Sequence, residues 1–217
     1  MATLDLDAAE PIATGTYREV YVYPGREDLV VKVLMPGAAV QPGKPIRSML
    51  KSRSRRQLYR FMFREYDAYL ESRLSPAAVK VAFPISHLCW LQQTSRGLGM
   101  VAERVRGPGG APARSLAALQ AEGGLTDRQL AALNRFIDAL FTLDVVTNDT
   151  NPNNVLLDET GPELRFVLVD GFGDTQPLGL KKMSAKLRRD QRHRRFSGMA
   201  QFLGLRWDAS KQLILRG

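Results

Sequence analysis

Residues 149–173 of this chain read DTNPNNVLLDETGPELRFVLVDGFG. The apolar positions in this stretch predict two short strands, over residues 155–157 and 164–169, that pair as a hairpin. Because neighbouring strands lie about 4.8 Å apart, the hairpin would bring Asn154, directly before the first strand, close to Asp170, directly after the second. This hairpin therefore decides where the candidate metal-binding side chains of the chain are expected to meet.

Three polar residues around this hairpin have the composition of a phosphoryl-transfer site. Asp149 begins the loop that precedes the first strand, and Asn154 ends it. Asp170 directly precedes a Gly-Phe-Gly turn. One carboxylate can accept or orient a substrate hydroxyl, while the amide and the second carboxylate supply the hard oxygen ligands that Mg²⁺ prefers. Taken alone, each residue has an ordinary alternative, since Asp and Asn are common turn residues that hydrogen-bond their own backbone. Their order along the chain favours the chemical interpretation.

Two further charged residues lie in apolar surroundings earlier in the chain. Lys32 interrupts the apolar run 29–33, and Glu65 lies beside the apolar stripe of a helix predicted over residues 57–74. We expect the lysine to contact a phosphate and Glu65 to pair with it, because an unpaired buried charge is costly. The alternatives are an edge-strand lysine whose amine reaches solvent and a solvated Glu65 whose neighbour Arg64 pairs with it locally.

The remaining sequence predicts a mixture of strands and helices. A glycine- and proline-rich break at residues 107–112 is the best position for a boundary between two lobes. Thr126 and Gln129 have the spacing of a capping box and predict the start of a helix. The other predicted elements are a β-hairpin or meander over residues 11–36, strands over residues 79–83, 88–92 and 98–105, and a basic helix from Lys181 to about Gly198.

This constellation resembles the protein kinase-like superfamily and, more narrowly, the PhoP regulatory network protein YrbL family of small bacterial kinase-like proteins. The resemblance covers residues 12–174, which is most of the chain, and it implies ATP and Mg²⁺ as cofactors. It implies three catalytic roles: Asp149 would meet the acceptor hydroxyl, Lys32 would hold the α- and β-phosphates, and Glu65 would pair with that lysine. It also implies that Asn154 and Asp170 bind the metal.

The resemblance also implies a nucleotide-binding surface on the first lobe. Main-chain groups of Glu103 and Val105 would face the adenine edge, with Ala102 as a small gatekeeper residue. Gly15 and Thr16 belong to the loop that would cover the phosphates, although this loop keeps a single glycine and has fewer backbone positions free to close over a phosphate. The histidine that usually precedes the catalytic aspartate is absent, and the spacing of the catalytic loop is closer to that of aminoglycoside, choline and lipopolysaccharide-core kinases.

The fold class that the resemblance implies is α+β, a minimal two-lobed protein kinase-like fold with a truncated helical C-lobe. Residues 1–107 would form the N-lobe, an antiparallel sheet with one helix, and residues 108–217 the reduced C-lobe. Too few residues follow Asp174 to build a full helical lobe, and no Ala-Pro-Glu sequence is present. The platform for peptide substrates is therefore expected to be largely missing. The expected activity is transfer of the γ-phosphate to a hydroxyl acceptor, whether a protein side chain, a sugar or another small molecule.

Positive charge is concentrated in two windows of the sequence. The net charge is +9. Residues 44–64 and residues 181–195 contain eight basic residues each, and the single acidic residue in these two windows is Asp190. Such windows attract polyanions or form solvated helix faces. They favour an acidic or phosphorylated substrate over nucleic acid, because the basic residues are not interleaved with aromatic ones as in known recognition modules. An alternative function is a nucleotide-binding pseudokinase that regulates a partner through these patches.

Composition argues against disulfide-stabilised, zinc-binding, secreted and membrane-spanning proteins. With 217 residues, a single cysteine and two histidines, the chain is expected to have neither an internal disulfide framework nor a zinc site. Residues 1–15 lack the basic and apolar parts of a signal peptide, and no apolar run approaches the roughly 20 residues of a spanning helix. A cytoplasmic protein is therefore the expectation.

Overall fold

The chain folds as two compact units. The computed structural model describes residues 2–15, 18–35, 59–147, 150–173 and 185–217. Unit 1 consists of Met1–Phe63 and His87–Arg104, and unit 2 consists of Arg64–Ser86 and Val105–Gly217. The elements are α-helices and antiparallel strands, which confirms the α+β class. No helix in the described ranges is both long and apolar enough to cross a membrane.

Unit 1 is built on one antiparallel sheet. Its strands are β1 (Ala13–Thr14), β2 (Arg18–Tyr23), β3 (Arg26–Leu34), β4 (Leu88–Thr94) and β5 (Gly97–Glu103), in the spatial order β1-β2-β3-β5-β4. Strand β3 is central, with Val31 opposite Tyr21 of β2 and Val101 of β5. One cluster of buried residues in this unit consists of Leu6, Tyr21, Leu29, Val31, Val33 and Val101. The strands predicted over residues 11–36, 88–92 and 98–105 are confirmed.

Unit 2 carries most of the helical structure. Its helices are α1 (Arg60–Leu74), which begins in unit 1, α2 (Leu116–Ala121), α3 (Asp127–Thr142) and α4 (Ala185–Phe202). Helix α1 confirms the helix predicted over residues 57–74, whose first two residues lie outside the described ranges. The predicted capping box at the start of α3 is also confirmed, since the Thr126 hydroxyl accepts from the Gln129 N–H and the Gln129 side chain accepts from the Thr126 N–H.

The strand predicted over residues 79–83 is wrong. A short 3-10 helix, Pro76–Val79, ends where the strand was predicted to begin, and residues 80–83 form no strand. The Ser75 hydroxyl accepts a hydrogen bond from the Ala77 N–H, and the proline fixes the first turn. The apolar side chain of Val79 is consequently 89% exposed instead of packed in a sheet.

Helix α4 confirms residues 185–198 of the basic helix predicted near the C-terminal end, and residues 181–184 of that prediction lie outside the described ranges. The helix does not end near Gly198. It ends at Phe202, and Gly204 follows with a φ of 66°. The Leu205 N–H then donates to the Ala200 carbonyl, 2.8 Å away. A glycine terminates a helix by adopting this left-handed conformation, which Gly198 does not do.

Two hairpins complete unit 2. They are formed by β6 (Val155–Asp158) with β7 (Arg165–Leu168) and by β8 (Arg206–Asp208) with β9 (Leu213–Leu215). The first confirms the hairpin predicted from the sequence. The second was not predicted, and Asn134 of α3 fixes it by donating to the Ile214 carbonyl at 2.9 Å and accepting from the Ile214 N–H at 2.8 Å.

Aromatic side chains join α4 to α3 and to this last hairpin. Phe141 and Trp207 stack with their ring centroids 6.4 Å apart. The rings of His193 and Phe196, both on α4, lie 5.5–5.8 Å from those two. The Nδ1 atom of His193 is buried and has no hydrogen-bond partner among the described residues. The cluster therefore accommodates His193 best as a neutral ring.

The packing of His193 predicts that the protein loses stability in mild acid. Burial lowers the pKa of His193 from its ordinary value of 6.5, the charges of Arg189 and Arg192 lower it further, and Asp190 opposes them. The folded protein thus binds fewer protons than the unfolded chain, so this contribution is complete above pH 6.5 and is lost as the pH falls through the folded pKa.

Denaturant unfolding at about pH 7.5 and about pH 5 measures this effect. The native protein is expected to lose more free energy of unfolding between the two pH values than His193→Phe, which has no group to titrate there. An equal loss of free energy of unfolding in the two proteins would contradict a lowered pKa of His193 in the folded protein.

Candidate functional site

The β6–β7 hairpin brings Asn154 and Asp170 to the same end of unit 2. Val155 pairs with Leu168 at this end of the ladder. One step further, the Val169 N–H donates to the carbonyl of Asn154, 2.9 Å away. Asp170 is the next residue along the chain, so its backbone leaves the hairpin beside Asn154. Both side chains are partly buried.

In the turn before β6, the side chain of Asn151 has a structural role, whereas that of Asn154 is not needed for the turn. The Oδ1 atom of Asn151 accepts from the Asn153 N–H at 3.0 Å and from its side-chain amide at 3.1 Å. Asn151 therefore acts as the cap of the short 3-10 helix Pro152–Asn154, the ordinary role of asparagine in turns. The main chain of Asn154 is bonded on both sides, by its N–H to the Asn151 carbonyl and by its carbonyl to Val169, so this position is fixed by backbone alone and its amide is not needed for the turn.

The turn after β7 is held on its other side by the segment that leads into the predicted catalytic loop. Thr147 forms an antiparallel bridge with Phe172, and the Gly173 N–H donates to the Val146 carbonyl at 2.8 Å. Phe172 is fully buried. Within the turn, the Gly171 N–H donates to a carboxylate oxygen of Asp170, 2.6 Å away. Asp149, the predicted catalytic residue, lies outside the described residues.

Gly173 approaches the backbone of helix α1 so closely that no side chain fits. A Cβ atom at this position would lie 2.7 Å from the carbonyl oxygen of Arg64 and 3.2 Å from the nitrogen of Glu65. Its φ of 91° also lies in the region that favours glycine. Through this contact, the turn that carries Asp170 is packed against the part of α1 that carries Glu65.

Lys32 and Glu65 are both buried charges. Lys32 lies in the central strand of unit 1 and is 4% exposed, and Glu65 in unit 2 is 3% exposed. The alternatives of an edge-strand lysine and of a solvated glutamate are therefore wrong. The roles of Lys32 toward phosphate and of Glu65 as its partner stay predictions.

The residues predicted to bind adenine and phosphates occupy well-defined backbone positions. Ala102 is fully buried in β5, and Val105 is 6% exposed. The Glu103 N–H donates to the His87 carbonyl at 2.8 Å, so an adenine contact at Glu103 would have to use its carbonyl. Gly15 donates its N–H to the Arg18 carbonyl at 2.8 Å and lies on the surface, while Thr16 lies outside the described residues.

The donor set at the hairpin fits a magnesium ion bound together with phosphates. The described part of the chain contains no group of three or more His, Cys, Asp and Glu side chains suited to a metal. Mg²⁺ is commonly held by one or two carboxylates, with substrate phosphates and water completing an octahedron. One amide oxygen from Asn154 and one carboxylate from Asp170 are a donor set of that kind.

Sequence reasoning missed the polar contacts that α4 makes with this region. Arg195 donates to the Thr147 hydroxyl at 3.3 Å, and Thr147 is 3% exposed. Arg192 forms an ion pair with Asp144. The basic window was visible in the sequence, but which of its members point inward depends on long-range packing.

Comparison with known proteins identifies a family. The family model described as PhoP regulatory network protein YrbL matches residues 4–204 of this chain. The search of curated proteins finds no match to the chain.

The close approach of Gly173 to α1 predicts a specific loss of stability on adding one methyl group. Gly173→Ala adds both left-handed strain and a clash with the Arg64 carbonyl. Gly204→Ala is a matched control, because Gly204 has a φ of 66° but nothing within 4 Å of its added Cβ.

Denaturant unfolding is expected to show a loss of about 1 kcal/mol for Gly204→Ala and a loss about 1–3 kcal/mol larger for Gly173→Ala, because overpacking adds to the strain. If the two variants lose the same free energy of unfolding, the packing of the turn against α1 is refuted.

Proposed function

This chain belongs to the PhoP regulatory network protein YrbL family, and from its site geometry we propose that it is an ATP- and Mg²⁺-dependent phosphotransferase with a minimal two-lobed kinase-like fold. It transfers the γ-phosphate of ATP to a hydroxyl acceptor. The observation that carries the proposal is the hydrogen bond from the Val169 N–H to the Asn154 carbonyl, 2.9 Å long. This bond fixes the backbone of Asn154 beside that of Asp170 at one end of the hairpin.

The residues have distinct roles in this proposal. Asn154 and Asp170 hold Mg²⁺, which neutralises charge on the nucleotide phosphates when it is bound. Asp149 accepts the proton of the acceptor hydroxyl as the acceptor oxygen bonds to the γ-phosphorus. The bond from that phosphorus to the bridging oxygen breaks, and ADP leaves with the electron pair. The protein contributes chiefly orientation and electrostatic stabilisation.

Lys32 supplies the positive charge for the nucleotide phosphates. It is 4% exposed in a central strand, and a lysine is rarely so deeply buried without a charge partner or a function. In the proposal its ammonium contacts the α- and β-phosphates. Main-chain groups of Glu103 and Val105 bind the adenine edge, beside the small side chain of Ala102.

The main test is loss of phosphoryl transfer at the two proposed metal ligands. Asp170→Ala and Asn154→Ala are each expected to lower the Mg²⁺-dependent turnover of γ-labelled ATP by about 10²–10³-fold, because each removes a group that positions charge in the transition state. Asn153→Ala is the matched control, since Asn153 is an exposed asparagine of the same turn and is expected to keep turnover near that of the native protein.

The same assay separates an enzyme from a pseudokinase. The native protein is assayed at saturating Mg²⁺ for both phosphoryl transfer and ATP hydrolysis. If it binds ATP but shows neither reaction, the proposal is wrong and a regulatory nucleotide-binding protein is favoured. Equal activity in Asp170→Ala and the native protein would refute the proposal as well.

Replacing the buried lysine is expected to affect nucleotide use. Lys32→Met keeps the length and apolar part of the side chain while removing its charge. We expect kcat/KM for ATP to fall by about 10²-fold or more. The free energy of unfolding is expected to fall as well, because Glu65 would keep its buried charge without its predicted partner. Unchanged kcat/KM in a folded variant would contradict a phosphate contact.

A further inference from the structure

A small cavity lies where α4 meets the segment that precedes the predicted catalytic loop. Its volume is about 20 Å³, which is room for one or two oxygen atoms. It is lined by Gln191, Arg192 and Arg195 of α4 and by residues 144–147. All of these residues belong to unit 2.

Arg192, which lines the cavity, has one buried hydrogen-bond donor that no described residue satisfies. One guanidinium nitrogen, Nη2, donates to the carboxylate of Asp144, and the guanidinium carbon lies 5.0 Å from the centre of the Phe141 ring. The other nitrogen, Nη1, is buried and has no hydrogen-bond partner in the described part of the chain. A buried donor left without an acceptor is costly, so an acceptor brought by a ligand would be bound favourably at this nitrogen.

Arg195 adds a second guanidinium to the same face of α4. It is three residues from Arg192, a spacing that places both side chains on one side of a helix. Arg195 donates to the buried hydroxyl of Thr147 at 3.3 Å. The cavity lining thus holds two guanidinium groups and one carboxylate, that of Asp144, so its net charge favours an anion.

An open groove adjoins the cavity. It has a volume of about 450 Å³ and shares Asp144 and Arg192 with the cavity. Arg189 and Asp138 also line it, so the groove has two arginines and two carboxylates. The cavity can therefore receive the oxygens of a small anionic group while the groove holds the molecule that carries it.

We propose that Arg192 and Arg195 bind a phosphate monoester group carried by the phosphoryl acceptor. This inference deepens the proposed function and rests on it, since it names the chemical class of the acceptor. Guanidinium groups bind phosphate oxygens through paired N–H donors. Thr147, which lines the cavity, is two residues from Asp149 in sequence, and two residues span at most about 7 Å of extended chain. The phosphate would therefore anchor the acceptor close to the group that receives its proton.

The binding test uses glycerol 3-phosphate as the probe and glycerol as its unphosphorylated control, in calorimetric titrations of the full chain without ATP or Mg²⁺. Saturable binding of glycerol 3-phosphate, and none of glycerol, is expected. Arg192→Ala and Arg195→Ala are each expected to weaken binding about tenfold or more, because each loses a charge-assisted hydrogen bond. Arg194→Ala is the matched control, since Arg194 is an exposed arginine of the same helix and is expected to change affinity less than about twofold.

A fourth variant tests the site without removing any donor. Asp144 shares Arg192 with the incoming phosphate, so Asp144→Asn is expected to raise the affinity for glycerol 3-phosphate several-fold. The replacement suits the backbone, because residue 144 has a φ of 48° and asparagine tolerates that conformation. If Arg192→Ala fails to fold, Arg192→Lys keeps the charge beside Asp144 but loses the second donor, and weakened binding is again expected.

Three results with the native protein and the Arg194→Ala control would overturn the proposal. They are absence of binding by the native protein, an equal loss in Arg194→Ala, and binding of inorganic phosphate with exclusion of the ester. A fourth arm separates this site from the nucleotide site. Asp170→Ala is expected to bind glycerol 3-phosphate as the native protein does, and loss of binding there would place the probe at the nucleotide site and overturn the proposal. If the native protein binds glycerol 3-phosphate but never turns over ATP, the phosphate site is supported and only the proposed transferase activity is refuted.

Discussion

Backbone pairing on both sides of one turn is the constraint on which the candidate site depends. On one side, Val169 donates to the Asn154 carbonyl, and on the other, Gly173 donates to the Val146 carbonyl, at 2.9 and 2.8 Å. Asp170 lies between these two bonds. A shift of either strand by one residue would turn alternate side chains to the opposite face, so the buried Leu168 and Phe172 fix the register as well as the core. The position of Asp170 is thus set by groups that take no part in the chemistry.

Close packing extends this constraint from the turn to helix α1. Gly171 and Gly173, on either side of the buried Phe172, have φ values of 80° and 91°, a conformation that glycine adopts without steric cost. The absence of a side chain at Gly173 lets the turn touch the α1 backbone at Arg64. Glu65, the next residue, is 3% exposed. A movement of the turn would therefore disturb the helix that positions this carboxylate, because tightly packed elements do not shift independently.

Local signals in the sequence were sufficient for some elements and misleading for others. The hairpin at residues 155–169 and the capping box at Thr126 follow from alternation and from short-range hydrogen bonds, so both were predicted correctly. The strand at residues 79–83 failed because Ser75 and the proline after it stabilise a 3-10 turn, which overrides weak strand propensity. The end of α4 was misplaced at Gly198 because composition alone does not reveal which glycine adopts a positive φ. The contact between Arg195 and Thr147 joins distant parts of the chain and leaves no local pattern.

The placement of the basic residues on α4 narrows the kinds of polyanion that this helix can bind. Among the residues whose side chains are described, Arg189 and Arg194 are exposed, whereas Arg192 and Arg195 are partly buried. The two partly buried arginines contact Asp144, Phe141 and Thr147. Binding to a nucleic-acid backbone requires several cations on one accessible surface, and this part of α4 turns half of its arginines away from such a surface. The proposed phosphate site agrees with this placement, since two guanidinium groups at one cavity match one phosphate better than they match a row of them.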